Sequence, residues 1–215
     1  QTEIVDSIQV EERYFLGDMD FHNSHLYCLY NGVLRIVDCS EPENMHYQTE
    51  IEDNFNSIFT YDGNLITTKN SDHNSRGLVQ IYNLDNPIEP RLLSTYGADF
   101  TDYTLATSFE TSFPLLYLHS RSIDSSHYEF VSIEDPENPV KLSEVRLGGW
   151  SGRLGAVSIM TESYVVCTLS SDDLVVINVS DIEHPFVSGY YEDFQEKNTL
   201  SANDSLFAVE AFGTK

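Results

Sequence analysis

The sequence LRIVDCSEPENMHYQTEI, at residues 34–51, occurs four times in the chain in related forms. The other copies are VQIYNLDNPIEPRLLSTY (79–96), YEFVSIEDPENPVKLSEV (128–145) and LVVINVSDIEHPFVSGYY (174–191). Each copy has an alternating apolar segment, a polar turn with proline and a second alternating segment, which is the pattern of a β-hairpin. The copies begin ~45 to 49 residues apart, within the period of propeller blades. The chain is therefore predicted to repeat one hairpin four times.

Two shorter strand-like segments precede each hairpin. Asn31-Gly32 is a strong signal for a tight turn and leads from the second segment of the first unit to the hairpin at Val33. Asp62-Gly63-Asn64 indicates a turn between the two segments of the second unit. Helical periodicity is not evident, so the fold is predicted to be an all-β propeller with four strands per blade. The preceding segments span 15–21 and 26–30, 57–61 and 65–68, 103–107 and 115–119, and 154–160 and 164–169.

The two ends of the chain carry partial repeats. Residues 2–10 match the fourth strand of a unit, and residues 199–210 match the first two strands. We expect one propeller domain over 1–215, with a partial blade built from 1–10 and 195–215. Two alternatives stand: a propeller of about five blades that closes through a three-stranded blade, or a fragment of a larger propeller. The complete units are predicted at 11–52, 53–98, 99–149 and 150–194.

Composition limits the classes of partner. The 215 residues include 35 acidic and 11 basic side chains, for a formal net charge of −24. Such a charge disfavours nucleic acid, and no apolar run approaches the ~20 residues of a membrane span. An apolar content of 40% with 12% aromatic residues predicts a folded core. The three cysteines form no C-x-x-C pair and do not indicate a disulfide framework.

The hairpins resemble the LVIVD repeat, a Leu-Val-Ile-Val-Asp-like strand followed by a Ser-Asp-Pro-x-x-Pro turn. LRIVDCSEPENM (34–45) carries this pattern with Met45 in place of the last proline. The other copies depart from the consensus at Ser132, Asn178 and Ile182. The resemblance implies a secreted or cell-surface bacterial or archaeal propeller and brings no catalytic motif.

The repeat also assigns structural roles. The polar residue that precedes each turn is predicted to accept a hydrogen bond from the backbone N–H two residues later. Alternating apolar residues of the hairpins are expected to face a neighbouring blade, with Cys28 and Cys167 as small apolar residues of second strands. The turn residues are Asp38, Asn83, Ser132 and Asn178, and the apolar residues include Leu34, Ile36, Val79, Ile81, Leu174 and Val176.

Metal and catalytic motifs are weak. His22 and His25 have a ligand-like spacing but lie across a predicted turn, without a matching third ligand. The loop at 72–77 has Arg76 where a calcium loop requires an oxygen ligand. Gly-x-Ser-x-Gly and glycine-rich phosphate motifs are absent from the sequence. No catalytic residue and no metal ligand is therefore assigned.

One face of the predicted propeller concentrates charge. Connections from the fourth strand of one unit to the first of the next emerge on the same face as connections from the second strand to the third, and such loops commonly bind ligands. The acidic side chains of these connections are interpreted in one of two ways. They are either ordinary solvated loop residues, or a site for a divalent cation such as calcium or for a basic partner. The predicted binding residues of this face are Glu12, Asp53, Asp99, Asp102, Trp150, Arg153 and Asp193.

Two functions follow from this interpretation. The favoured one is a non-enzymatic scaffold that binds a protein or a small ligand through its loops. The alternative is a metal-dependent hydrolase or lyase whose carboxylates gather at the channel from several blades. A homo-oligomer, or the missing blades of a longer chain, would be further partners.

Overall fold

The regular structure of the described residues consists of β-strands. The computed structural model describes residues 16–70, 77–97, 115–121, 125–148, 154–160, 163–169, 174–191, 197–203 and 206–211, and within these ranges every regular element is a β-strand. The chain divides into two compact units, Gln1–Asp99 and Phe100–Lys215.

The first unit contains two four-stranded antiparallel sheets whose strands follow each other in chain order. This arrangement confirms the predicted strands of the first two repeats within one or two residues, apart from longer ends in β6. Alternating apolar and β-branched residues favour these strands. The first sheet comprises β1 (Leu16–His22), β2 (His25–Tyr30), β3 (Val33–Asp38) and β4 (His46–Glu52), and the second comprises β5 (Phe55–Tyr61), β6 (Asn64–Asn70), β7 (Gly77–Asn83) and β8 (Arg91–Gly97).

The second unit contains three sheets within its described residues. The first has three strands, β9 (Leu115–Arg121), β10 (Ser125–Ser132) and β11 (Val140–Gly148). The next has four, β12 (Leu154–Met160), β13 (Tyr164–Leu169), β14 (Leu174–Asn178) and β15 (Phe186–Tyr191). The last pairs β16 (Lys197–Asn203) with β17 (Leu206–Ala211). The predicted strands at 2–10 and 103–107 lie outside the described residues.

All four predicted hairpins form, and they share one register. The first and last residues of each repeat lie opposite each other, as Leu34 does with Ile51 and Leu174 with Tyr191. The same pairing joins Val79 to Tyr96 and Tyr128 to Val145. Each hairpin also has a β-bulge at the same place, so one residue of its second strand is skipped. The skipped residues are Gln48, Leu93, Leu142 and Ser188.

The predicted turn caps are confirmed in all four hairpins. The side chain of Asp38 accepts a 2.8 Å hydrogen bond from the N–H of Ser40, and Asn178 accepts one of 3.0 Å from Ser180. Asn83 and Ser132 accept the equivalent bonds from Asp85 and Glu134 at 2.9 and 3.3 Å. A short polar side chain thus holds each chain reversal, as expected for Asx and Ser turns.

Tight turns connect the strands where the sequence indicates them. Asn31 and Gly32 both have positive φ, at 49° and 79°, and so do Asp62 and Gly63, at 45° and 73°. Two successive positive φ values suit the right-handed twist of a hairpin. Asn23 and Ser24 form a similar turn between β1 and β2, at 45° and 62°. The sequence lacks a glycine there, which is why this turn carries no strong signal.

Each unit has a core between two sheets. In the first unit, Leu34 and Ile36 of the first sheet pack with Phe55, Leu65 and Tyr82 of the second. In the second unit, Tyr128 and Phe130 of β10 pack with Val165, Val175 and Ile177 of the next sheet. The predicted apolar positions are all buried, with exposures from 0% for Leu34 to 9% for Val176. Cys28 is half-buried, while the side chain of Cys167 lies outside the described part.

A repeated polar contact joins adjacent sheets. The hydroxyl of Tyr27 donates a 3.2 Å hydrogen bond to the carbonyl of Pro87, in the turn of the second sheet. The hydroxyl of Ser143 donates to the carbonyl of Ile182, in the turn of the sheet that follows it. Pro87 and Ile182 occupy the same position of the repeat. The turn of a hairpin therefore accepts a hydrogen bond from the preceding sheet in both units.

Candidate loop-face site

Backbone hydrogen bonds show which connections share an edge of the first unit. The N–H of Phe55, just after the β4–β5 connection, donates a 2.9 Å bond to the carbonyl of Gly32 in the β2–β3 turn. At the opposite edge, the N–H of Cys39 donates to Ser24, and that of Leu84 to Gly63, both at 2.8 Å. The predicted grouping of connections is therefore confirmed in this unit. We call the edge that holds Gly32 and residues 53–54 the loop face.

The two connections of the loop face approach each other closely. A Cβ added to Gly32 would lie 3.0 Å from the Cα of Asn54. Asn54 itself has a φ of 51°, a left-handed conformation that asparagine adopts more readily than most residues. Gly32 is therefore required twice, by its own positive φ and by the backbone that faces it.

Asp53 lies in this connection and is neutralised by a lysine. The Nζ of Lys69 donates a 2.6 Å hydrogen bond to the Oδ2 of Asp53, joining β6 to the β4–β5 connection. The side chains are 19% exposed for Lys69 and 37% for Asp53. Burial, with the negative charge of Asp53 as the second cause, raises the pKa of the Tyr82 phenol to about 12. Asp53 thus acts as an ion-pair partner that ties the loop face to the second sheet.

Asp53 is the predicted binding residue that the structure describes. The others lie outside the described residues, so their placement stays a prediction. They are Glu12, Asp99, Asp102, Trp150, Arg153 and Asp193.

The two spaced histidines make local contacts. The Nε2 of His22 lies 2.8 Å from the Nδ2 of Asn23, and the Nδ1 of His25 lies 2.8 Å from the carbonyl oxygen of Asn23. Both histidines flank the turn between β1 and β2, as the sequence predicted. In the described part of the chain, no group of three His, Cys, Asp or Glu side chains is placed to hold a metal ion.

Two aspartates of β1 have a role that the sequence did not indicate. The Oδ2 of Asp18 accepts a 3.3 Å hydrogen bond from the N–H of Ile58 in β5. The Oδ2 of Asp20 accepts bonds from both the N–H and the hydroxyl of Thr60, the latter at 2.9 Å. Burial raises the pKa of Asp18, while the bond from Ile58 acts in the opposite direction. These carboxylates bridge two sheets by satisfying edge amides, which otherwise cost free energy when desolvated.

A charged cluster of the second unit was also missed. The carboxylate of Glu129 in β10 is fully buried, and Lys141 of β11 donates to it at 2.8 Å. Lys141 also contacts Glu144 at 2.6 Å, and Arg146 contacts the other oxygen of Glu144 at 2.6 Å. Hydrogen bonds from Lys141 and Arg146 lower the pKa of Glu144. A single Glu within an apolar strand, opposite charged residues, is the signal that could have revealed the cluster.

Comparisons with known proteins identify the architecture. No protein-family model matches the chain, and no curated protein matches it. Among solved structures it is similar to the computationally designed Ika8 protein, with a TM-score of 0.63, 10% identity, and coverage of 91% of this chain and 55% of that one. It is also similar to Hsv2 of Kluyveromyces lactis, with a TM-score of 0.55, 11% identity, and coverage of 92% and 57%. Both are β-propellers.

The chain has a β-propeller fold. The four-stranded sheets are its blades, as predicted. The chain spans a little over half the length of the solved structures to which it is similar. At 10–11% identity the likeness concerns the fold alone.

Helices long and apolar enough to cross a membrane do not occur among the described residues.

Proposed function

We propose that the chain is a non-enzymatic propeller scaffold that binds a basic segment of a partner protein through its loop face. We further propose that it belongs to a secreted or cell-surface protein of the LVIVD-repeat type. A divalent cation such as calcium would be the competing occupant of the same carboxylates.

The rigidity of the loop face carries the proposal. The N–H of Phe55 donates a hydrogen bond to the carbonyl of Gly32, and the backbone of Asn54 packs against Gly32. Lys69 forms an ion pair with Asp53. Binding surfaces that are already ordered lose less conformational entropy on association. A connection held from both sides therefore suits recognition of a partner.

Charge supports a basic partner. The chain has a net charge of −24. Asp99 and Asp102 come after β8 in the sequence, and Asp193 comes after β15, in connections that are predicted to lie on the loop face. A field of this sign attracts cationic segments and accelerates their encounter. Trp150 is the one tryptophan of the chain and supplies the kind of aromatic anchor that is enriched at interfaces.

The turn chemistry supports the LVIVD assignment. Asp38 occupies the aspartate position of the consensus, and Asn83, Ser132 and Asn178 replace it in the other copies. All four accept the same backbone hydrogen bond. The substitutions therefore keep the property that this position of the repeat requires.

The test measures binding of a fluorescent peptide of about ten lysines by anisotropy at ~0.15 M NaCl, where exposed charges are screened beyond ~8 Å. The loop-face variant combines Asp99→Asn, Asp102→Asn and Asp193→Asn. The control variant combines Glu41→Gln, Glu43→Gln and Asp85→Asn, exposed residues of the turns at the opposite edge. Both remove three negative charges. We expect the loop-face variant to bind about tenfold more weakly than the control, since each exposed ion pair contributes on the order of 0.5 kcal/mol.

Equal weakening in both variants would mean that net charge alone drives binding, and it would contradict the proposal. A parallel thermal melt with calcium distinguishes the competing occupant. If calcium raises the melting temperature of the unchanged chain and the loop-face variant loses only that shift, the carboxylates bind a cation and not a basic segment.

A further inference from the structure

The outer strands of the sheets differ in charge. β4, β8, β11 and β15 are each the last strand of their sheet. Outermost strands present a row of backbone N–H and C=O groups that can pair with another chain, and proteins guard them with charged side chains. β4 carries Glu50 and Glu52, β8 carries Arg91, and β11 carries Lys141, Glu144 and Arg146. β15, with the sequence FVSGYY, carries no charge.

β15 is also the outer strand with the most exposed apolar surface. The exposed fractions are 57% for Phe186, 39% for Val187, 36% for Tyr190 and 54% for Tyr191. In β4 the corresponding group is Tyr47 alone, at 44%, and in β8 it is Leu92 alone, at 46%. In β11 it is Val140 at 56% and Leu142 at 38%, beside the charged Lys141, Glu144 and Arg146. An apolar, uncharged outer strand is the template that association between chains uses.

Both faces of β15 contribute to this surface. Residues directly opposite each other in a sheet lie on the same face. Phe186 and Tyr191 lie opposite Asn178 and Leu174, while Val187 lies opposite Ile177. Because Asn178 and Ile177 are adjacent in β14, their partners project to opposite faces. A strand that paired with β15 would therefore find apolar side chains above and below the new ladder.

We propose that β15 is the docking surface for β15 of a second copy of this chain, with the two strands paired antiparallel about a two-fold axis. Such a contact places the same surface on both subunits. An outer strand such as β4, with Glu50 and Glu52, would set like charges against each other, which is destabilising. In a chain with a net charge of −24, an uncharged strand lets two copies approach without that cost.

The salt dependence of association follows from the charge. Two copies repel each other through their net charge, and added salt screens that repulsion, with a Debye length of ~10 Å at 0.1 M and ~3 Å at 1 M. The apolar contact at β15 is not weakened by screening. We therefore expect dimers to become more abundant as the salt concentration rises.

The experiment is sedimentation equilibrium of the full chain from ~5 to ~100 µM at low and high salt, a range chosen because dimer abundance follows mass action. The test variant is Val187→Lys, and the matched control is Leu92→Lys. The position just before the skipped residue of the bulge is the same in each of these hairpins. It is occupied by Val187, Leu92 and Lys141, which lie opposite Ile177, Tyr82 and Val131. Lys141 occurs naturally at this position, so the fold accepts a lysine there. Far-UV circular dichroism checks that both variants fold.

We expect the unchanged chain and Leu92→Lys to dimerise, and Val187→Lys to have a dimer dissociation constant at least tenfold higher. A monomeric unchanged chain at ~100 µM and high salt would overturn the proposal. Equal dimerisation of the two folded variants would also overturn it, because the contact would then lie elsewhere. If Val187→Lys does not fold, the same comparison is made with Phe186→Ser.

Discussion

The carboxylate of Asp20 in β1 accepts hydrogen bonds from both the backbone N–H and the hydroxyl of Thr60 in β5. One side chain thus connects the first strands of two neighbouring sheets. Asp18 makes an equivalent contact with the N–H of Ile58, and Asp53 of the β4–β5 connection pairs with Lys69 of β6. These acidic residues therefore help to hold the strands and their connections together.

The Asp20 bridge predicts a specific loss of stability. Asp20→Ala leaves the N–H of Thr60 without its acceptor, and the free energy of unfolding should fall by about 1–3 kcal/mol. Asp20→Asn keeps an acceptor oxygen and should cost less. Met19→Ala is the control, at a neighbouring side chain that is 55% exposed, and it should change the value by about 0.5 kcal/mol or less. Urea unfolding measures all three, and equal losses for Asp20→Ala and Met19→Ala would contradict the bridge.

The two turn glycines separate conformational strain from steric contact. Gly32 and Gly63 have similar positive φ values, 79° and 73°. A Cβ at Gly32 would meet Asn54 at 3.0 Å, whereas a Cβ at Gly63 has nothing within 4 Å. Alanine at either position incurs the left-handed strain of about 1–2 kcal/mol. We expect Gly32→Ala to cost at least about 1 kcal/mol more than Gly63→Ala, because overpacking adds to the strain.

Thermal or urea unfolding of the two glycine variants checks this prediction. A larger loss for Gly63→Ala would show that the β2–β3 turn and the β4–β5 connection are not in contact. The loop face would then lack the rigidity on which the proposed binding function rests.

Two buried tyrosines predict the alkaline limit of the first unit. Burial raises the pKa of Tyr27 to about 12, and burial with the charge of Asp53 raises that of Tyr82 to about 12, from 10.0. A folded-state pKa above the unfolded one means that this contribution to stability is complete below pH ~10 and is lost as the pH rises towards ~12. Tyr27→Phe and Tyr82→Phe should each make the decline less steep. Unfolding free energies at about pH 8 to 11.5 test this, and identical slopes in all chains would contradict it.

The ion pair between Lys141 and Glu129 predicts strong coupling. Lys141→Ala leaves the fully buried carboxylate of Glu129 without its ammonium partner. Loss of one partner from a buried pair costs ~3–5 kcal/mol, and we expect about 2–3 kcal/mol because Lys141 is 31% exposed.

The double variant Lys141→Ala/Glu129→Gln tests that coupling. It should recover part of the loss, since it no longer buries a carboxylate that has lost the ammonium of Lys141. The single variant Glu129→Gln completes the cycle. If the loss in the double variant equals the sum of the losses in Lys141→Ala and Glu129→Gln, the two residues do not interact in solution.

The hairpins could be predicted from the sequence because alternation and turn residues act locally. The repeat at 34–51 already places Leu34 opposite Ile51, and Asp38 lies where its carboxylate must meet the N–H of Ser40. The bulge at Gln48 could not be predicted, because alternation does not tell which residue of an exposed strand is skipped.

The contacts between sheets escaped prediction for a different reason. Asp20 and Thr60 are 40 residues apart, and Asp53 and Lys69 are 16 residues apart. Asp20 and Thr60 meet only when the first and second sheets pack. Asp53 meets Lys69 only when β5 and β6 pair, which places Lys69 opposite Phe55. Neither acidic residue shows its partner in the local sequence. Asp53 was correctly placed on the loop face, but its pairing with Lys69 required the geometry of β6.

Cross-strand backbone NOEs of the perdeuterated chain show whether one sequence repeat forms the same bulged hairpin of a propeller blade four times. We expect NOEs that place Leu34 opposite Ile51, Val79 opposite Tyr96, Tyr128 opposite Val145 and Leu174 opposite Tyr191. We also expect an interruption of the ladder at Gln48, Leu93, Leu142 and Ser188. A different register in any hairpin, or an uninterrupted ladder, would contradict the repeat.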